Sequence, residues 1–311
     1  MRVLFLGSPG RFAARTLWGC LEAGHEVREF WYAAKSSSRL WKSDRLLGRW
    51  NPGWSVSAAL AKHRISRRSV GVLRKSPELW QQVRDLNVDL LVSSEFSYVV
   101  PPEILQQFPE RAVNLHPTML PEFRGPCPIV WMLYQQAVER CGGVTLHLMN
   151  PGLDDGPIIA QIRIPWNSNG FRHWEADLGN AAHALIVNHL PEFLRGQVAP
   201  KPQAEGSGTY YRGLKPEQLV IDSSLTAGRV HHLLETIGSF VPLRVQIGSR
   251  LHKVARFGQL VASAPTGCPP QIGPLRIELD VVDARISLRR WIPGMSKLRR
   301  LRTFHTFAKM A

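Results

Sequence analysis

Acidic residues are scarce in this chain of 311 residues: 24 Asp and Glu stand against 39 Lys and Arg, a formal net charge of +15. Such an excess sets up a long-range field that draws in polyanions, which favours nucleic acid or a nucleotide-linked substrate. The plainer alternative is a basic surface that aids solubility. Cysteine is sparse too. Cys20, Cys127, Cys141 and Cys268 are scattered, with no CxxC pair and no Cys/His spacing of a zinc site, which fits reduced thiols in a cytoplasmic protein. No stretch approaches the roughly 18 apolar residues of a membrane helix, and the run Met1–Gly7 is too short for a signal peptide, so no membrane partner is expected. No internal repeat of fixed period is present. What remains is an ordinary globular balance, 44% hydrophobic and 20% charged, which excludes wholesale disorder. The length predicts two domains.

The N-terminal run ends in Gly7-Ser8-Pro9-Gly10, after which Phe12, Ala13, Leu17, Cys20 and Leu21 recur at helical spacing. Gly24-His25-Glu26-Val27 stops that helix and opens a strand through Tyr32, so a βαβ unit of a doubly wound parallel sheet is expected. The turn offers GxxG and not GxGxxG, so a tight turn explains its glycines better than a dinucleotide does. Lys35 to Lys75 is basic, with Trp41, Trp50 and Trp54 interleaved. Cations beside indoles suit phosphates and stacked bases; tryptophans facing a core at helical spacing suit the same pattern.

Further strands are predicted at Val88–Val92, Ala112–His116 and Gly143–Met149, and a long helix from Trp174 to Leu194. The polar, Pro/Gly-bearing stretch 196–208 reads as a linker. Beyond it come a helix from Thr226 to Ile237 and strands at Leu243–Ile247, His252–Phe257, Leu275–Val282 and Ile286–Trp291, a small β-rich domain.

Asn114 and His116 are one residue apart on a strand, so their side chains share a face. An Asn amide offers neutral donors to a developing oxyanion, His moves protons near neutral pH, and a carboxylate such as Asp154 orients an imidazole. Each has a duller role as cap, core histidine or turn former. A metal alternative would recruit His116, His147, Asp154 and Asp155, but their spacing forms no known ligand pattern.

The ordered blocks Asn114-Leu115-His116-Pro117, Leu120-Pro121-Glu122-Phe123-Arg124-Gly125, Pro128, Gly143-Val144-Thr145 and Gly152-Leu153-Asp154-Asp155-Gly156 resemble the signature of the folate-dependent formyltransferases. This family includes methionyl-tRNA formyltransferases and nucleotide-sugar N-formyltransferases. Phe5-Leu6-Gly7-Ser8-Pro9 and Thr209-Tyr210-Tyr211 extend the resemblance toward both ends. It implies a Rossmann-like parallel-sheet catalytic domain over residues 1–195, the linker 196–208 and an OB-like domain over 209–311. It further implies 10-formyltetrahydrofolate as formyl donor, no metal, and Asn114, His116 and Asp154 as catalytic residues. Phe96, Ser97, Tyr98, Leu120, Asn150, Pro151, Gly152 and Leu153 fall where the family holds the pterin.

Departures leave the acceptor open. Thr118-Met119-Leu120-Pro121 replaces the usual Ser-Leu-Leu-Pro, Ser223 stands where the family has Trp, and the basic region 35–49 does not match the family's loop. The acceptor expected is the amine of methionyl-tRNA, with a nucleotide-linked amino sugar or a specialised metabolite amine second. The basic tail Lys297–Arg302 suits an RNA backbone or a solvated terminal helix equally. A non-catalytic nucleic-acid-binding homologue and a hydrolase of the formyl-folate are the readings of other classes.

Overall fold

Val3, Leu4, Phe5 and Leu6 are fully buried, as a strand covered on both faces requires. In the computed structural model, which describes residues 1–292 other than 35, 37, 167–169 and 240, they form an inner strand of a seven-stranded sheet. Its strands are β1 (Arg2–Gly7), β2 (Glu26–Ala33), β3 (Ser66–Val70), β4 (Leu90–Ser94), β5 (Ala112–His116), β6 (Gly143–Leu148) and β7 (Ile158–Arg163), in the order β3-β2-β1-β4-β5-β6-β7. The first five are parallel; β6 runs antiparallel to β5, and β7 to β6. The doubly wound parallel sheet is therefore mixed at one side. The chain between β5 and β6 folds back beside the sheet, with Met119 N–H donating to Cys141 O, and so brings β6 in reversed.

The strand order reverses between β1 and β4, which opens a crevice outside the carboxyl ends of the parallel strands. One sheet face carries the helices Arg11–Glu22 and Phe171–Ala184, packed on each other. The other buries Leu4, Leu6, Trp31, Leu91, Ile104 and Phe108 in a second cluster. The helix expected to continue to Leu194 is interrupted: one π-helical turn, Leu185–His189, precedes a last segment, Leu190–Leu194. Pro191 explains this, since it has no N–H for an intrahelical bond.

This first unit comprises residues 1–132 and 137–212. Its last stretch is tied down: Ile158 and Lys201 exchange two backbone hydrogen bonds of 2.8 Å, Arg124 N–H donates to Thr209 O at 2.8 Å, and Tyr211 N–H to Arg124 O at 2.9 Å.

The second unit comprises residues 133–136 and the chain from Gly213. Its sheet contains β8 (Val220–Ile221), β9 (Leu243–Ile247), β10 (Arg250–Ala262), β11 (Gln271–Ile272), β12 (Arg276–Val281) and β13 (Ala284–Arg290), in the order β11-β12-β13-β10-β9-β8. Alternation along β12 buries Ile277, Leu279 and Val281. The helix Ala227–Glu235 starts where Thr226 Oγ1 accepts the Arg229 N–H, and it buries Val230, Leu233 and Leu234. The basic tail at 297–302 lies outside the described residues. No helix among the described residues is long and apolar enough to cross a membrane.

Candidate functional site

The period of two along β5 sets Asn114 and His116 on one face, and the antiparallel register places His147 of β6 opposite Asn114. Asp154 arrives from the β6–β7 loop in a left-handed conformation, φ 56°. The three residues expected to act together do meet. Asn114 Nδ2 lies 3.4 Å from Asp154 Oδ1, and His116 Nδ1 lies 3.6 Å from Asp154 Oδ2. His116 is 4% exposed, so few groups can reach its ring.

Neighbouring groups fix the proton positions. His147 Nδ1 is 2.8 Å from the Leu148 carbonyl oxygen, an acceptor only, so Nδ1 carries the proton and Nε2 keeps its lone pair. That lone pair accepts the Asn114 amide N–H at 3.1 Å. Burial pushes the His147 imidazole down to about 4, with the Asp154 carboxylate opposing the shift and His116 adding to it. His116 Nε2 likewise donates to the Phe123 carbonyl at 2.9 Å, which leaves Nδ1 facing Asp154.

The loop after β5 is held as firmly as the side chains. Thr145 Oγ1 donates to Thr118 O at 2.7 Å and accepts the Leu120 N–H at 3.0 Å, while Gln161 Nε2 reaches Leu120 O at 2.9 Å. Phe123 has φ 59°, which turns its carbonyl toward His116. Gly125 N–H donates to Asp154 Oδ2 at 2.9 Å. Gln203 Nε2 donates to the carbonyls of Asp154 and Gly156, at 2.9 and 2.8 Å.

Of the residues expected at the pterin, Leu120 is 3% exposed and its backbone is engaged by Thr145 and Gln161. Pro151, Gly152 and Leu153 form an exposed rim beside Asp154. Phe96 and Tyr98 meet edge to face, 5.8 Å between centroids, just beyond β4. Phe96 and Met149 pack on the same apolar cluster, so the loops that follow them, one with Ser97 and Tyr98 and one with Asn150, share a base. Asn150 Oδ1 and Asp155 Oδ1 are buried without a hydrogen-bond partner among the described residues. A ligand bringing N–H donors fits two such acceptors.

Other residues of the site have roles that no motif announces. Thr145 stands in a signature block and His147 enters only as a metal-ligand candidate, so the hydrogen bonds they make are recognisable only once β5 and β6 are paired, and those of Gln203 only once its segment is placed. The glycine turn after β1 is filled from within: Glu95, φ 57°, accepts the Ala13 N–H at 3.2 Å and so occupies the N-terminus of the helix Arg11–Glu22. In the basic region Trp41 is buried, with the Arg67 guanidinium 4.3 Å from its ring centre, whereas Trp50 is 75% exposed. Trp41 therefore faces the core and Trp50 is open to solvent.

The sequence matches the family described as Formyl transferase over residues 55–183. A methionyl-tRNA formyltransferase of Chloroflexus aurantiacus is 32% identical over 229 residues, 73% of this chain and 70% of that protein. Among solved structures, WlaRD, a sugar 3N-formyl transferase seen with dTDP and 5-N-formyl-THF, superposes with TM-score 0.62 at 16% identity, over 94% of this chain and 98% of that one. HypX of Aquifex aeolicus superposes with TM-score 0.63 at 16% identity over 93% of this chain, which spans only 45% of HypX.

Proposed function

Since the chain belongs to the formyltransferase family, we propose that it transfers the formyl group of 10-formyltetrahydrofolate to the amine of an anionic acceptor, methionyl-tRNA in the first place. The observation that carries this reading is the meeting of Asn114, His116 and Asp154 at the carboxyl end of β5, with Asp154 3.4 Å from Asn114 and 3.6 Å from His116. The net charge of +15 and the methionyl-tRNA formyltransferase relative support an RNA-linked acceptor. The fold shared with WlaRD over nearly its full length favours the second reading, a nucleotide-linked amino sugar. We read the β-rich second unit as OB-like and as the part that meets the acceptor.

The folate supplies a formyl carbonyl already activated as an N-acyl group. Asn150 and Asp155 offer their unpaired acceptors to the pterin, with Phe96, Ser97 and Tyr98 beside the same crevice. Asn114 holds one amide proton on His147; the other, only loosely held at 3.4 Å by Asp154, turns to the formyl oxygen as negative charge develops there. His116, protonated at Nδ1, adds a second donor, and its Nε2–H stays anchored on Phe123 O. The amine nitrogen bonds to the formyl carbon while Asp154 steadies the imidazolium and takes up, through a water, the proton the amine loses; on collapse the bond from that carbon to the folate nitrogen breaks, and the proton passes to the leaving nitrogen to give tetrahydrofolate.

The test is to follow tetrahydrofolate release from 10-formyltetrahydrofolate with charged initiator tRNA and, separately, with a panel of nucleotide-linked amino sugars. Release that requires one of these acceptors is expected. Release independent of any acceptor would show hydrolysis instead, and no release with any of them would overturn the reading in favour of a binding protein.

A further inference from the structure

We propose that the segment 201–211 is a strap that sets the position of Asp154 relative to His116, with Gln203 as its positioning residue. The inference rests on the formyl-transfer reading of that pair. Gln203 lies among Pro and Gly residues in a polar stretch, yet every hydrogen-bonding position of its amide is used. Its two N–H groups go to Asp154 O and Gly156 O, at 2.9 and 2.8 Å, and its Oε1 accepts Arg124 Nε and Nη2, at 3.2 and 2.6 Å. One side chain thereby joins the loop that carries Asp154 to the loop that carries Phe123 O and Gly125 N, the groups bound to His116 and Asp154.

The strap is anchored on both sides of Gln203. Lys201 pairs with Ile158, Thr209 Oγ1 accepts the Phe123 N–H at 3.0 Å, and Tyr211 stacks on Phe123 and Trp131 with centroids 5.2 and 4.6 Å apart. Asp154 and Phe123 both hold positive φ, a conformation that a side-chain-bearing residue keeps only when its surroundings over-determine it. At Asp154 the carbonyl bond from Gln203 is that restraint. Without it the peptide can relax, and the carboxylate leaves its place 3.6 Å from His116 Nδ1.

The test uses Gln203→Met, which keeps the length of the side chain and removes its hydrogen bonds, and Gln203→Glu, which sets a carboxylate against two carbonyls. The His116 ring is titrated by 15N NMR in the whole protein, with Asp154→Asn as the reference for an imidazole without its carboxylate. Gln203→Met is expected to move the His116 midpoint at least halfway from the wild-type value to the Asp154→Asn value. It should also lower kcat about 10- to 100-fold and shift the alkaline limb of its pH profile in the same direction, as for an acid that has lost the carboxylate steadying its charged form. Gln203→Glu should do more. If neither variant folds, Arg124→Lys, which loses the two-point grip on Gln203, should move the midpoint the same way by less. A folded Gln203→Met protein with unchanged His116 midpoint and kcat overturns the strap. Absence of turnover in the wild type would count against the formyl-transfer reading and leave the NMR comparison intact.

Discussion

The side-chain amide of Asn114 donates to Nε2 of His147 across the β5–β6 pair at 3.1 Å, so a neutral histidine is built into the site. Asp154, His116 and Asp155 are the titratable groups around it, and burial, with His116 adding to it, outweighs the two carboxylates in holding it near 4, against 6.5 in the unfolded chain. Between those values the unfolded chain binds a proton that the folded chain refuses. The contribution is therefore complete above pH 6.5, shrinks as pH falls through the window, and is gone below 4. At 1.36 kcal/mol per unit this amounts to about 3 kcal/mol. Urea midpoints at neutral and acid pH should show His147→Gln losing clearly less stability on acidification than the wild type. Parallel losses would mean that His147 is charged in the fold.

Asp154 accepts N–H groups from Gly125 and Asn114 and faces His116 Nδ1. Asparagine at this position would set its own NH2 against one of those donors and remove the charge that steadies an imidazolium. Asp154→Asn and His116→Ala should each lower kcat by about 10²–10⁴-fold, the range for losing a positioned acid–base group. Tetrahydrofolate release by proteins that melt normally is the measurement. Rates within tenfold of wild type for either would remove that residue from the chemistry.

What could be read in advance follows from the range of the interactions. Asn114 and His116 share a strand with strict alternation, so local pattern puts them on one face, whereas Asp154, in a loop dense in Gly and Pro, joins them only through the signature blocks the three residues belong to. His147 was legible as a strand residue and a metal-ligand candidate but not as the partner of Asn114, because that partner lies 33 positions away and the register of two strands decides that they touch. Four of the five residues of β3 are exposed and two are arginines, so its pairing with β2 leaves no apolar alternation to see. The π-helical turn before Pro191 was signalled by the proline alone. Gln203 had no local signal, since its four hydrogen bonds go to three residues in two loops far from it in sequence.

Gly208 has φ 80°, and a Cβ there would lie 2.0 Å from the Pro121 carbonyl oxygen. Gly206 has φ 70° with nothing within 4 Å of the same position. The pair separates backbone strain from collision. Gly206→Ala should cost about 1 kcal/mol, the strain alone, and Gly208→Ala about 2–4 kcal/mol, because backbone must move as well. As Pro121 leads into the loop whose Phe123 carbonyl holds His116, Gly208→Ala should lose turnover too. Equal denaturant midpoints for the two variants would show that the strap yields freely at Gly208.

In the second unit Arg289 of β13 stands directly opposite Arg256 of β10 on one side and Arg276 of β12 on the other, so all three share a face. All are exposed, and none makes an ion pair among the described residues. Three like charges side by side repel, and phosphates would relieve them. If the acceptor is RNA-linked and these arginines meet its backbone, releasing three counterions gives a slope near −2.7 in log affinity against log salt, roughly 40-fold between about 50 and 200 mM. A nucleotide-linked amino sugar has no comparable counterion atmosphere and should change only about two- to threefold over that range. The acceptor KM, measured at both ionic strengths for wild type and for Arg276→Gln/Arg289→Gln, distinguishes the two. The double variant should flatten the slope by about two contacts with kcat unchanged. A steep slope that the variant leaves intact would place the RNA elsewhere on the chain.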